Sequence, residues 1–223
     1  MIPDFDRLRA THTTATPYPH VVVPNFLSGE TLAAVSHDFP DIGMPGLFLP
    51  EAADYGPAFA ELIATMESDA MRALVGDKLG VDLTGRPTLV TLRAQSQSKD
   101  GRIHADSKFK LATALLYLNT PRGPTGTDGW SADGGRLRIL RSESDLEDYA
   151  AEVPPDGGLL VLFRVQDNSW HGHKPFIGPR RYLMVNWCES EALRDSEAAR
   201  HRMSGCVKKA FRFFGSGAST DAA

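Results

Sequence analysis

Ile103 to Asn119 reads I-H-A-D-S-K-F-K-L-A-T-A-L-L-Y-L-N, and its spacing carries both a fold and a chemistry. His104 and Asp106 open the stretch with one residue between them. In an extended chain residues i and i+2 project to the same side, so an imidazole and a carboxylate leave the lip of a strand together. The strand itself follows. Thr113, Leu115 and Tyr117 share one face, and Ala112, Ala114, Leu116 and Leu118 share the other. The pair supplies two ligands for a divalent metal, and a third has to come from elsewhere in the chain.

Upstream, His20-Val21-Val22-Val23 lies between prolines and reads as an edge strand. Ser28 is an N-cap for a helix carrying Leu32, Ala33, Val35 and Phe39. Phe59, Leu62, Ile63 and Met66 mark a second helix. Ser68 caps a third, which Gly80 stops. Asp41 to Pro57, rich in Gly and Pro, is a long loop that covers the core or lines a substrate mouth. Pro87 to Gln97 alternates as a strand. Downstream of Asn119 come a Gly-rich loop holding Trp130, a candidate lid residue, and a strand over Arg136 to Leu140. A surface helix over S-E-S-D-L-E-D-Y, a turn at Pro154 to Gly158 and a buried strand from Leu159 to Arg164 follow. Helices first, then short strands separated by turns, predict a mainly β protein with flanking helices, an antiparallel sandwich or barrel with helices on one side.

The chain has 223 residues, 42% of them hydrophobic, with a net charge of −4, an ordinary globular balance. That charge disfavours a sequence-independent grip on nucleic acid. Cys188 and Cys206 form neither a metal pair nor a disulfide framework. No apolar run reaches transmembrane length and no charged segment followed by an apolar run opens the chain. The expectation is a cytoplasmic protein with no membrane contact.

The third ligand is best sought at His171. Two imidazoles and a carboxylate with open positions suit non-heme Fe(II), and a zinc hydrolase uses similar ligands. Ten positions on, Arg181 shares a strand face with Leu183, Val185 and Trp187, and a guanidinium on an apolar face needs an anion. Its fork matches a carboxylate, to which the Tyr117 hydroxyl is a second donor. Thr113 and Trp187 complete the candidate co-substrate set. Arg180, on the opposite face, reads as a surface cation, and exchanging it with Arg181 takes a slip of one residue. Lys108 and Lys110 read as solvated charge rather than contacts for an anionic substrate.

Several motifs together resemble the iron(II)/2-oxoglutarate-dependent oxygenases, in their prolyl 4-hydroxylase-like branch. They are His104-x-Asp106, T-A-L-L-Y-L-N from Thr113, G-G-R-L-R-I-L from Gly134, P-x-G-x-L-L-V-L-F ending at Phe163, S-W-H-G-x-x-P from Ser169, and R-Y-L-x-x-x-W from Arg181. The resemblance implies a double-stranded β-helix, a cupin-like jelly roll with N-terminal helices packed on one sheet. It implies Fe(II) on His104, Asp106 and His171, and 2-oxoglutarate held by Arg181 with Tyr117. It also implies O2 as co-substrate, succinate and carbon dioxide as products, hydroxylation as the outcome, and ascorbate as a candidate accessory reductant. The family pattern puts the ligand directly after Trp170, which favours His171 over His173; His173 is left for substrate or a backbone carbonyl. A small molecule or a peptidyl side chain is the expected substrate. The competing reading is a non-catalytic metal- or ligand-binding module on the same scaffold.

The expected organisation is a single domain over 1–223. It divides into a loosely ordered start (1–17), helical support (18–85), the jelly-roll core (86–188), a C-terminal helix (189–214) and a disordered tail (215–223). The tail's K-K-A-F-R-F-F is expected to pack its phenylalanines on the core.

Overall fold

Caps and apolar spacing set the helices that lead the chain. A computed structural model describes residues 3–120 and 129–215, the last stretch (204–215) without side chains. Helix α1 (Phe5–Ala10) is capped by Asp4, whose side chain accepts from the Arg7 N–H, and Leu8 on it is fully buried. One buried apolar side chain and one cap dock this helix on the core. Ser28 caps α2 (Gly29–His37) by accepting from Thr31, and Ser68 caps α4 (Asp69–Leu79) by accepting from Met71. Between them lies α3 (Pro57–Glu67), with a proline in its first turn. Gly80 ends α4 at φ 63°, a left-handed C-cap that a side chain would strain.

The described residues form eight strands, β1 between α1 and α2 and the rest after α4: β1 (His20–Val23), β2 (Thr88–Ser96), β3 (Lys110–Tyr117), β4 (Leu137–Leu140), β5 (Tyr149–Val153), β6 (Leu160–Arg164), β7 (His171–Gly172) and β8 (Gly178–Cys188). They form two antiparallel sheets, ordered β1-β6-β3-β8-β2 and β5-β4-β7. This is the two-sheet, helix-flanked jelly roll that the sequence predicts, with β1 at an edge. A long helix, α5 (Glu191–Gly215), is the last described element.

The large sheet is buried on both faces, and this decides where the chemistry lies. Ala112, Ala114, Leu116, Leu183, Val185 and Trp187 pack with Leu62, Met66, Met71 and Val75 of the helices. Leu115, Tyr117, Phe163 and Tyr182 face inward and pack with Leu137, Ile139 and Val153 of the small sheet. β3 and β8 pair with Thr113 opposite Asn186 and Tyr117 opposite Tyr182, so both strands send the same parity inward.

One expectation fails here, and another lies outside the described residues. The segment after β4 forms bends and turns rather than a helix, and β5 then begins at Tyr149. Buried Arg138 of β4 explains it: its guanidinium binds Glu147 (2.8 Å), Glu152 (2.7 Å) and the Leu146 carbonyl (3.0 Å), tying the acidic stretch to the sheet. The expected tail 215–223 falls outside the described residues beyond Gly215, as do the side chains of K-K-A-F-R-F-F.

Candidate active site

His104 and His171 face each other across an antiparallel pair. The His104 N–H donates to the His171 carbonyl at 3.0 Å, and the His171 N–H returns the bond at 2.9 Å. Residues that exchange both bonds present their side chains on one face, and the two ring centroids lie 4.3 Å apart. Asp106, two residues along, reaches the same point. One ligand atom from each of His104, Asp106 and His171 falls within 4.8 Å of the others.

The protonation of this trio suits a cation. His104 Nδ1 lies 2.8 Å from the Arg102 carbonyl and His171 Nδ1 lies 2.9 Å from the Ser169 carbonyl. A carbonyl only accepts, so Nδ1–H donates in each ring, which leaves Nε2 as the atom that a neutral ring offers to a metal. Burial, with neighbouring His104 next in weight, pushes His171 down to about 4, so it is neutral at pH 7. Burial works against ionising Asp106. The Lys110 ammonium, then His171, the Thr113 hydroxyl and His104 outweigh it and hold the carboxyl below its usual range.

Both Asp106 oxygens are held. Thr113 Oγ1 donates to Oδ2 at 2.6 Å, and Lys110 Nζ to Oδ1 at 3.3 Å. Asn186 Nδ2 donates to Thr113 Oγ1 at 2.8 Å, completing a buried relay from β8 through β3 to Asp106. Thr113 thus serves the carboxylate ligand, and its hydroxyl proton is already placed.

The trio lines a cavity of about 430 Å³, within the range of small-ligand sites. Arg180 lines the same cavity and is 3% exposed. Its Nε donates to the Gly135 carbonyl (2.8 Å) and its Nη2 to the Tyr117 hydroxyl (3.1 Å), and its guanidinium stands over the Tyr117 and Tyr182 rings. No carboxylate among the described residues pairs with it. Tyr117 is fully buried and does not line the cavity; burial pushes its hydroxyl up to about 12, so it stays protonated behind Arg180.

Strand parity places two of the expected co-substrate residues, Arg181 and Trp187, away from the cavity. Arg181 shares the helix-covered face with Leu183, Val185 and Trp187, and its guanidinium lies over the Phe39 ring at 5.3 Å. Trp187 is fully buried in that same core and does not line the cavity. The face-sharing read from the sequence is right, but the face chosen as the interior is the outer one. Lys110 is 8% exposed rather than solvated, whereas Lys108 is exposed and pairs with Asp167. Trp130 packs on Phe176 and donates to the Gly134 carbonyl (2.9 Å), away from the cavity. Of the long loop before α3, Leu47 reaches the cavity wall.

His173 also lines the cavity, but its Nδ1 lies 2.8 Å from the Lys174 carbonyl, and burial followed by nearby Arg180 pushes it down to about 4. It stands with Arg180, not with the His171 cluster. Sequence reasoning missed Asn186, Arg93 and the α5 residues Glu197 and His201, all of them site-forming. Parity with Tyr182 carries a signal for Asn186. Nothing local carries one for α5, which reaches the cavity by tertiary packing.

Residues 93–189 match the 2OG-Fe(II) oxygenase superfamily. Comparison with curated proteins gives no match. Among solved structures, a prolyl-4-hydroxylase of Pseudomonas putida is similar at 20% identity and a TM-score of 0.51, covering 83% of this chain and 96% of that one. A viral collagen prolyl hydroxylase from Paramecium Bursaria Chlorella virus-1, in complex with 2OG, aligns at 17% identity and a TM-score of 0.47, covering 75% and 93%. HygX of Streptomyces hygroscopicus, with nickel and 2-oxoglutarate bound, aligns at 15% identity and a TM-score of 0.47, covering 77% and 83%. At these identities the first likeness is one of fold.

Proposed function

We propose that this chain, whose residues 93–189 match the 2OG-Fe(II) oxygenase superfamily, holds Fe(II) on His104, Asp106 and His171 and the distal carboxylate of 2-oxoglutarate on Arg180. The donor set fits the metal: two imidazoles with free Nε2 atoms and one ionised carboxylate, gathered on one side of a cavity. A zinc hydrolase site uses the same donors. The observation that carries the oxygenase reading is Arg180, a buried guanidinium with no carboxylate partner among the described residues, in the cavity the three ligands line.

Bound together, Fe(II), 2-oxoglutarate and O2 supply oxidative decarboxylation to succinate and carbon dioxide, with hydroxylation of a substrate. The chain's own residues do the rest. Thr113 and Lys110 hold the Asp106 oxygens in one orientation, and Asn186 holds Thr113. The Ser169 and Arg102 carbonyls fix the imidazole tautomers. Tyr117 and the Gly135 carbonyl brace Arg180 from behind. Leu115, Leu137, Phe163 and Met184 line the cavity and lower the local dielectric, which strengthens the Arg180–carboxylate pairing.

The substrate class is a small molecule or an amino-acid side chain, in keeping with a cavity of about 430 Å³ that also admits the co-substrate. A cytoplasmic, reducing setting suits the free buried thiol of Cys188. No described helix is long and apolar enough to cross a membrane. Helices α2 to α4 pack on the large sheet through a continuous core, which supports one domain.

The test is titration of the Fe(II)-loaded protein with 2-oxoglutarate under argon, followed by succinate release in air. The expected result is a metal-to-ligand absorption band and slow succinate formation, both lost in His104→Ala and His171→Ala. Metal binding without the band would refute the reading.

A further inference from the structure

The cavity is cationic in an acidic protein. Arg93, Lys99, Arg102, Lys110, Arg180 and Arg200 line it, against Asp100, Asp106 and Glu197, while the whole chain carries −4. Resting on the function proposed above, Fe(II) adds two positive charges and 2-oxoglutarate two negative ones. These cancel, and the lining's excess of three positive charges stays uncompensated. Once Arg180 has its carboxylate, two of those charges are easily located. Asp100 pairs with Arg93, and Glu197 with Arg200. Lys99 and Arg102 have no ion-pair partner among the described residues.

Both sit on the turn that leads into His104, and that turn is held. The Asp100 N–H donates to the Gln97 carbonyl (2.9 Å), and the Asp100 carboxylate accepts from the Gln97 N–H (3.0 Å). Gly101, at φ 90°, lies so close to the His173 backbone and ring that any Cβ would collide, and its carbonyl accepts from the His173 N–H at 2.9 Å. Two exposed cations on a pinned turn at the mouth of a cavity form a preorganised anion receiver. Exposed Lys108 makes the contrast: it pairs with Asp167 and does not line the cavity.

We propose that the substrate carries an oxyanion, a carboxylate or a phosphate, which Lys99 and Arg102 receive at the cavity mouth beside His104. They act as specificity-determining residues: they select and orient the substrate, while Arg180 holds the co-substrate deeper in the same cavity.

The test uses the full chain loaded with Mn(II), a redox-silent substitute, and saturated with 2-oxoglutarate. Benzoate, phenyl phosphate, benzamide and benzylamine are the probes, and paramagnetic relaxation of their ring protons reports approach to the metal. Benzoate or phenyl phosphate should relax at least about tenfold more than benzamide, and benzylamine should not relax. Whichever of the two relaxes more identifies the class of anion. The double variant Lys99→Gln/Arg102→Gln should lose about tenfold of that effect, and the single Lys99→Gln about fivefold, with 2-oxoglutarate affinity retained. Equal relaxation by acid and amide, a preference for the amine, no relaxation by any probe, or an undiminished effect in the double variant would each overturn the proposal. Binding of 2-oxoglutarate is read in the same sample. If it fails, the oxygenase assignment fails; if it holds while the anion preference is missing, only this inference falls.

Discussion

Exchanging Arg180 and Arg181 for methionine separates two adjacent arginines whose sequence context is nearly the same. Arg180 is 3% exposed, and methionine keeps the stem while removing the guanidinium. Truncating one partner of a buried, hydrogen-bonded charge pair costs about 2–5 kcal/mol. Arg180→Met should therefore weaken 2-oxoglutarate binding by about 30-fold to several thousandfold. Arg181 is half-buried on the far side of the sheet, over Phe39. Its replacement removes a cation–π contact worth about 0.5–1 kcal/mol of stability and leaves co-substrate affinity within about twofold. The assay is calorimetric titration of 2-oxoglutarate into the Mn(II)-loaded protein, with thermal midpoints recorded alongside. Because Arg180 also braces Tyr117 and Gly135, Arg180→Lys is the control: it keeps a charge but loses the fork, and should recover part of the affinity. If Arg181→Met abolished binding and Arg180→Met did not, the inward face of β8 would be misassigned, and the cavity with it.

Two further outcomes follow from the same geometry. Thr113→Val removes the donor at 2.6 Å from Asp106 and should lower Mn(II) affinity by about tenfold to a hundredfold. Asn186→Ala should act in the same direction more weakly, and unchanged Mn(II) affinity in both would dissolve the relay. His171 and His173 are each lowered from 6.5 to about 4 by burial, so between those values the unfolded chain binds protons that the folded one does not. Metal-free stability is thus full above pH 6.5 and falls as pH drops toward 4, by about 2 kcal/mol per histidine on going from pH 7 to pH 5. Urea midpoints across that range check it, and a flat profile in the wild type, or in His173→Gln relative to it, would contradict the burial argument.

The ligand trio was legible because its information is local. An i, i+2 pair at a strand lip and a histidine behind a tryptophan need no tertiary knowledge to be suspected. The helices were legible for the same reason, since Ser28, Ser68 and Gly80 state their own boundaries. β5 was not, because Y-A-A-E-V carries weak β preference, and what makes it a strand is its pairing with β4 and the Arg138–Glu152 contact. Lys110 was misread because exposure is the sound default for a lysine. It is buried because Asp106, four residues before it, folds back to meet it.

The choice between Arg180 and Arg181 was hard to read for a deeper reason. A sheet with one wet face announces its interior by alternation, but this one is covered by helices on one side and a second sheet on the other. Leu183, Val185 and Trp187 look like an interior because they are one, namely the core beneath the helices. The face that carries the chemistry is the less apolar of the two, with Arg180, Tyr182, Met184 and Asn186 on it. The β3–β8 register then binds both ends of the site together. Thr113 opposite Asn186 fixes the Asp106 relay, and Tyr117 opposite Tyr182 fixes the rings beneath Arg180. A slip of one residue in β8 would replace Asn186 with Trp187 and Arg180 with Arg181 in a single step. The metal end and the carboxylate end cannot fail separately through strand pairing, so the apolar core on the outer face is what keeps both ends of the inner face in place.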